Sequence, residues 1–220
     1  MLIVGYILTA VAGYLLGSIP TGYLVAAARG IDIRTVGSGN IGATNVFRFL
    51  GVPAGIFVLL SDAFKGWFAV VVGARLFGSW FDAAAGPQAR EWLAIIAGVS
   101  AILGHNFTCW LRFKGGKGIA TSAGVLVALV PWALLLILGV WIIAFALTRY
   151  VSLASIGASA ALPLAAWVTK ESYTMIFVTA AMAALAIYKH KANIQRLAKG
   201  TESRIGARKR TDAGAPGPTS

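Results

Sequence analysis

Three short polar segments carry most of the side chains able to handle an anion. The first, VGSGNIGATNVFR over Val36–Arg48, has glycines at 37, 39 and 42, with Ser38, Asn40, Thr44 and Asn45 among them and Arg48 at its end. Glycines let backbone N–H groups approach an anion closely, and a helix starting behind the loop adds a favourable dipole. Ser38, Thr44 and Asn45 add donors, and Arg48 offers the paired N–H fork that suits phosphate. The second segment, GHNFTCWLRFKGGKGIATS over Gly104–Ser122, sets Lys114 and Lys117 among Gly115, Gly116 and Gly118, just before Thr121 and Ser122. It is a second candidate anion cradle. The third, YKHKANIQRLAKGTESRIG over Tyr188–Gly206, places His190 and Asn193 three apart, on one face of a helix, ahead of Glu202.

Other chemistries are disfavoured by the same residues. Gly37–Gly42 spells G-x-G-x-x-G, but a dinucleotide site needs a preceding strand and an acid about 20 residues further on. Here an apolar helix precedes it, and Asp32, the nearby acid, lies on the wrong side. Lys114–Gly118 lacks the spacing of a phosphate-binding Walker loop. His105 begins no H-x-x-x-x-D pair, since position 110 is Trp, and no G-x-S-x-G elbow occurs. No His, Cys or carboxylate cluster has metal-ligand spacing, so neither metal nor cofactor is expected. The lone Cys109, beside Trp110 at the end of an apolar run, reads as a small buried hydrophobe.

The elements that hold these segments are membrane helices. Hydrophobic residues make up 58% of the chain and charged ones 12%, about half the share in a soluble domain. Met1–Ala28, Trp92–Leu111, Gly118–Thr148, Tyr150–Thr169 and Ser172–Tyr188 carry no Asp, Glu, Lys or Arg, and runs of that length suit bilayer crossing. The net charge of +12 is spread over the ends of these runs, which fits topology and anionic headgroups better than nucleic acid. No Lys or Arg precedes the first run, whereas Arg29 and Arg34 follow it, the reverse of a cleaved signal peptide.

Spans are expected at about 2–27, 52–77 and 92–111. The run 118–148 would make a helix of about 46 Å, too long for one crossing, and Pro131 interrupts it. Basic residues cluster after the first span, in the 112–117 loop and after Lys189, while the alternate loops hold little beyond Arg90 and Lys170. The positive-inside rule then requires 118–148 to cross twice, turning near Val130–Pro131. The expected fold is an all-α polytopic membrane protein of about seven transmembrane helices, N-terminus outside and C-terminus cytoplasmic. Residues 1–206 form one membrane-embedded domain, and 207–220 a disordered basic, Gly- and Pro-rich tail. This parity brings the three polar segments to one membrane face. Asp62 and Lys65 are i, i+3 inside a span, where charges face the protein interior and pair; with His105 and Asn106 they read as supporting residues.

The segments GSGNIGATNVFR, FKGGKGIATSAG and HKANIQRLAKGTE together closely resemble the three signature motifs of the bacterial acyl-phosphate:glycerol-3-phosphate acyltransferase family (PlsY). The resemblance covers nearly the whole chain in length, motif order and span pattern. It implies transfer of a fatty acyl group from acyl phosphate to the sn-1 hydroxyl of glycerol 3-phosphate, giving lysophosphatidic acid and inorganic phosphate at the cytoplasmic face of the bacterial inner membrane. It further implies catalytic roles for Ser38, Arg48, Lys117, His190 and Asn193. Gly37, Ser38, Gly39, Asn40, Gly42, Thr44 and Asn45 would hold acyl phosphate. Arg48, Lys117 or Lys114, Ser152 or Ser155, His190 and Asn193 would hold glycerol 3-phosphate, with Glu202 supporting. The proton goes either to a substrate phosphate or to His190, with no acyl-enzyme. Membrane lipid is the surrounding partner and nucleic acid is not expected; the sequence leaves the oligomeric state open, a monomer being compatible with it. The rival reading is a transporter or exchanger of phosphorylated solutes, which would need polar residues along a continuous path and often a duplicated architecture. Here the polar residues gather at one surface, and no internal repeat is evident.

Overall fold

The computed structural model describes residues 2–73 and 86–206, and all their regular secondary structure is helical. The expected tail, 207–220, and the end of the expected second span, 74–77, lie outside the described residues. In chain order the α-helices are α1 Leu2–Ser18, α2 Thr21–Ala27, α3 Ala43–Leu50, α4 Val52–Phe68, α5 Pro87–Asn106, α6 Ile119–Leu129, α7 Pro131–Thr148, α8 Val151–Val168, α9 Tyr173–Lys189 and α10 Lys191–Ala198. A π-helical turn, Ala69–Gly73, extends α4.

Among the described residues, five stretches are long and apolar enough to cross a membrane: Leu2–Ala27, Val52–Gly73, Pro87–Leu111, Pro131–Thr148 and Val151–Val168. Ile119–Leu129 and Tyr173–Lys189 are shorter apolar helices. The run 118–148 is broken where Pro131 requires it: Val130 leaves helical geometry and Pro131 takes the first position of α7, where its missing N–H costs nothing. The span expected at about 2–27 is present as Leu2–Ala27, broken into α1 and α2. Pro20 removes a backbone donor and clashes with the preceding turn, so Ile19 and Pro20 lie outside both helices. The carbonyls near this break find side-chain donors instead. Thr108 Oγ1 donates to Ser18 O at 2.5 Å, and Lys65 Nζ donates to Ile19 O at 2.9 Å. The third span also differs from 92–111. Its helix begins at Pro87 and stops at Asn106, before a 3₁₀ turn at Cys109–Leu111 that leaves Cys109 half-buried.

Small residues set the helix contacts, as expected where lipid supplies no hydrophobic drive between helices. Gly13 and Gly17 of α1 lie so close to Ala97 and Ala101 of α5 that a Cβ on either glycine would overlap backbone. Gly66 and Gly124 make the α4–α6 contact in the same way, against Thr121 and Ala63. Val125, Leu126, Val130, Ala133, Leu162 and Ala166 form part of the main apolar core. α7 buries only Ala133 and Ile137 and turns Leu135, Ile142, Ile143 and Leu147 outward, the surface of a lipid-facing helix. A second cluster, Ala26, Ile33, Ile41, Val46, Ala54, Val58 and Leu111, lies under the first polar segment and seats it on α2–α4.

Candidate active site

The first segment is a loop folded around one side chain. Asn45, 2% exposed, accepts from Ser38 N at 3.1 Å and donates to Ile33 O at 3.2 Å and Val36 O at 3.1 Å. Its amide is therefore committed to the loop, and Asn45 shapes the cradle rather than lining it. Asn40 likewise closes a turn, accepting from Gly42 N at 2.9 Å. Gly37 and Gly39 have φ of +60° and +67°, the left-handed region that glycine enters without penalty. Ser38 is exposed, and Thr44, half-buried, sits in the first turn of α3. At the loop entrance Arg34 pairs with Asp32 at 2.7 Å, and this bonding lowers the Asp32 carboxyl to about 2.

Arg48 reaches out of α3 and donates to Ser203 O at 3.1 Å, tying the first segment to the third. Lys117 donates to Asn193 Oδ1 at 2.5 Å, tying the second to the third. Glu202 is the hub of the third. It accepts from Asn193 Nδ2 at 2.7 Å, Ser152 Oγ at 2.8 Å and Arg196 Nε at 2.6 Å. Ile205 N donates to Arg149 O, which pins the end of this segment to the α7–α8 turn and brings Glu202 over the start of α8. Side chains from four separate parts of the chain thus converge: Arg48, Lys117, Ser152, and His190 with Asn193, Arg196 and Glu202.

The electrostatics of this cluster favour an anionic guest. Burial, assisted by the charges of Arg196 and Arg48, lowers Lys117 to about 8. His190, 2% exposed, is lowered to about 4, chiefly by burial, with Lys117 acting in the same direction. Its Nδ1 lies 2.8 Å from Ala186 O. A carbonyl only accepts, so Nδ1 carries the proton and Nε2 keeps a lone pair. Burial works to raise the Glu202 carboxyl, but hydrogen bonds from Asn193, Ser152 and Arg196 outweigh it and hold the group below its usual range.

The structure separates alternatives that the sequence leaves open. Lys117 is built into the cluster, whereas Lys114 is exposed and its ammonium makes no hydrogen bond among the described residues. Ser152 bonds Glu202, whereas Ser155 donates back to Val151 O at 2.8 Å and accepts from Trp141 Nε1 at 3.2 Å, away from the cluster. Asp62, Lys65 and His105 lie beneath the second segment and do not join the cluster directly. Asp62 and Lys65 pair at 2.8 Å, and Asp62 is 3.5 Å from His105 Nδ1. Arg196 belongs to the cluster although its sequence position suggests only a surface charge. Asn193 and Arg196 are three apart on α10 and share a face, whereas His190, expected on that same helix, lies at the junction where α9 ends and α10 begins.

A helical bundle with several membrane-length apolar helices, gathering three basic, donor-rich segments at one end, defines an integral membrane protein. Its relatives agree on what kind. The sequence profile of the glycerol-3-phosphate acyltransferase family matches residues 7–200. A glycerol-3-phosphate acyltransferase of Geobacter sulfurreducens is 47% identical over 91% of this chain and 97% of its own, and one of Geotalea daltonii is 45% identical over 88% and 94%. The crystal structure of PlsY (YgiH), an integral membrane glycerol 3-phosphate acyltransferase, in its glycerol 3-phosphate form superposes with a TM-score of 0.81 at 39% identity, covering 91% of this chain and 96% of that one. Its lysophosphatidic acid form gives 0.79 at 38% identity, covering 91% and 95%. The chain belongs to the glycerol-3-phosphate acyltransferase family.

Proposed function

We propose that this protein transfers a fatty acyl group from acyl phosphate to the sn-1 hydroxyl of glycerol 3-phosphate at the cytoplasmic face of a bacterial inner membrane. The observation that carries the reading is the hydrogen-bonded cluster of Arg48, Lys117, Ser152, Asn193 and Glu202, with His190 close enough to feel the charges of Lys117 and Glu202, which offers cations and donors but no activated nucleophile. Arg48 and Lys117 hold the glycerol phosphate, while Ser152, His190 and Asn193 orient its hydroxyls. The Gly37–Gly42 loop, with Ser38 and Thr44, receives the phosphate of the donor. Solved relatives in glycerol 3-phosphate and lysophosphatidic acid forms support a site for this substrate and this product.

The reaction needs little beyond placement and charge neutralisation. Acyl phosphate is a mixed anhydride with a good leaving group. Fixing the acceptor hydroxyl near its carbonyl carbon makes attack effectively unimolecular, and the cations and N–H groups stabilise the charge that develops. The hydroxyl oxygen forms the ester bond, the C–O bond to phosphate breaks, and the departing phosphate takes the hydroxyl proton and leaves as hydrogen phosphate. His190, lowered to about 4, is a weak base at neutral pH, and this favours the phosphate as proton acceptor. Its Nε2 lone pair instead orients the acceptor by accepting a hydrogen bond.

Direct transfer is tested by incubating the purified protein with acyl phosphate labelled in its acyl chain, without acceptor. The expected result is no label on denatured protein, and labelled lysophosphatidate once glycerol 3-phosphate is added. Stoichiometric, acceptor-dischargeable label on the chain would contradict it.

A further inference from the structure

The second segment rests on a buried platform that the active-site reading does not use. Gly116 N donates to His105 O at 3.0 Å, and a Cβ at Gly115 would overlap that same carbonyl. A Cβ at Gly116 would overlap His105 Nε2, and one at Gly118, where φ is +80°, would come within 2.6 Å of Asn106 Oδ1. The glycines of K-G-G-K-G are thus accounted for by contact with the end of α5, without reference to a ligand. Lys117 sits between Gly116 and Gly118, so its backbone is fixed from both sides by this contact.

The His105 ring cannot simply swing aside. It is 5% exposed, with Asp62 Oδ1 3.5 Å from its Nδ1. Asp62 is itself held by Lys65 at 2.8 Å, and Lys65 is held by Ile19 O at the α1–α2 break. A charged pair this deep is costly to bury, and charges at such depth face the protein interior and pair with one another. On the other side Lys189 Nζ donates to Asn106 O at 2.8 Å, joining the platform to the end of α9, next to His190.

We propose that His105, buried against the Asp62–Lys65 pair, is a positioning residue for the acceptor site: its ring and carbonyl set the height of Gly116 and so place the Lys117 ammonium against the phosphate of glycerol 3-phosphate. The inference rests on the reading that Lys117 binds that phosphate. Its consequence is selective. Loss of the platform weakens the acceptor and leaves the donor loop, which is built separately around Asn45, unaffected.

The test is steady-state acyl transfer by His105→Ala, Gly116→Ala, the double variant and Lys117→Ala, with KM measured separately for each substrate. KM does not depend on the fraction of folded protein, so partial loss of fold leaves the reading intact, and Gly116→Ala carries the test if His105→Ala fails to fold. The expected result is a rise of about tenfold in KM for glycerol 3-phosphate in each single variant, since a small misplacement of a binding group is enough, with KM for acyl phosphate within about twofold. In the double variant the new methyl occupies space the ring has left, so the KM rise falls well short of the product of the single effects. His105→Gln, which keeps a polar group under Gly116, is expected to restore part of the loss. If Lys117→Ala raises the acceptor KM but His105→Ala and Gly116→Ala do not, or if they raise both KM values together, the positioning role is overturned. An unchanged acceptor KM in Lys117→Ala overturns the acceptor-site reading as well.

Discussion

At the scale of single residues, the cluster has a measurable signature in Lys117. With its pKa lowered to about 8, the ammonium is charged below that pH and neutral above it. The charge proposed to bind phosphate is therefore lost as pH rises through about 8. We expect kcat/KM for glycerol 3-phosphate to fall along that limb, since this parameter reports the free enzyme. Lys117→Arg, whose guanidinium stays charged, is expected to remove the limb, whatever it does to the rate. Ser152→Ala removes a hydrogen bond to the ionised Glu202, worth about 1.5–3 kcal/mol, and is expected to raise the acceptor KM by about tenfold or more. Ser155→Ala is expected to change it less than twofold. Kinetics on the two variants check this. The spacing brought His190 and Asn193 together from sequence, although His190 falls in the turn between α9 and α10 rather than on a helix face. The choice between Ser152 and Ser155, and between Lys114 and Lys117, was not legible, because each depends on where Glu202 and Asn193 fall after the chain has folded back.

At the scale of elements, glycine serves closeness between protein parts more than closeness to a ligand. Read as sequence, K-G-G-K-G suggests a ligand cradle. In the fold its glycines meet His105 and Asn106. The break between α1 and α2 was equally hidden, since hydropathy runs straight through Pro20. What makes it stable is distant in sequence, namely Thr108 and Lys65 reaching the freed carbonyls. The break at Pro131 was legible because the apolar run there is too long for one crossing. Two outcomes belong to this scale. Gly17→Leu would force side-chain atoms into the Ala101 backbone, and overpacking of this kind costs about 1–3 kcal/mol or more; it is expected to lower the thermal unfolding midpoint in detergent. Asn45→Ala removes the bonds to Ser38, Ile33 and Val36 and is expected to raise KM for acyl phosphate far more than KM for glycerol 3-phosphate, the opposite selectivity to His105→Ala.

At the scale of the whole molecule, the bundle keeps apolar helices for lipid and collects its polar connections at one end. Arg48, Lys117, Ser152 and Glu202 meet although 154 positions separate the first from the last. Charge parity anticipated that meeting, because the side of the membrane on which a loop lies is set by composition, while the bonds made there are set by the fold. In a chain whose Cys109 is replaced by Ala, a cysteine at position 114 is expected to react with an impermeant maleimide only from the cytoplasmic side, and one at position 170 only from outside. Reaction of both from one side would contradict the crossing pattern of about seven spans. The central claim is the reaction itself, and one assay addresses it most directly. Purified protein in lipid is given radiolabelled glycerol 3-phosphate with palmitoyl phosphate, and separately with palmitoyl-CoA, alongside Ser38→Ala and Arg48→Ala. The account predicts lysophosphatidate from palmitoyl phosphate alone, lost in both variants. Product from palmitoyl-CoA, or none from either donor with the protein folded, would contradict it.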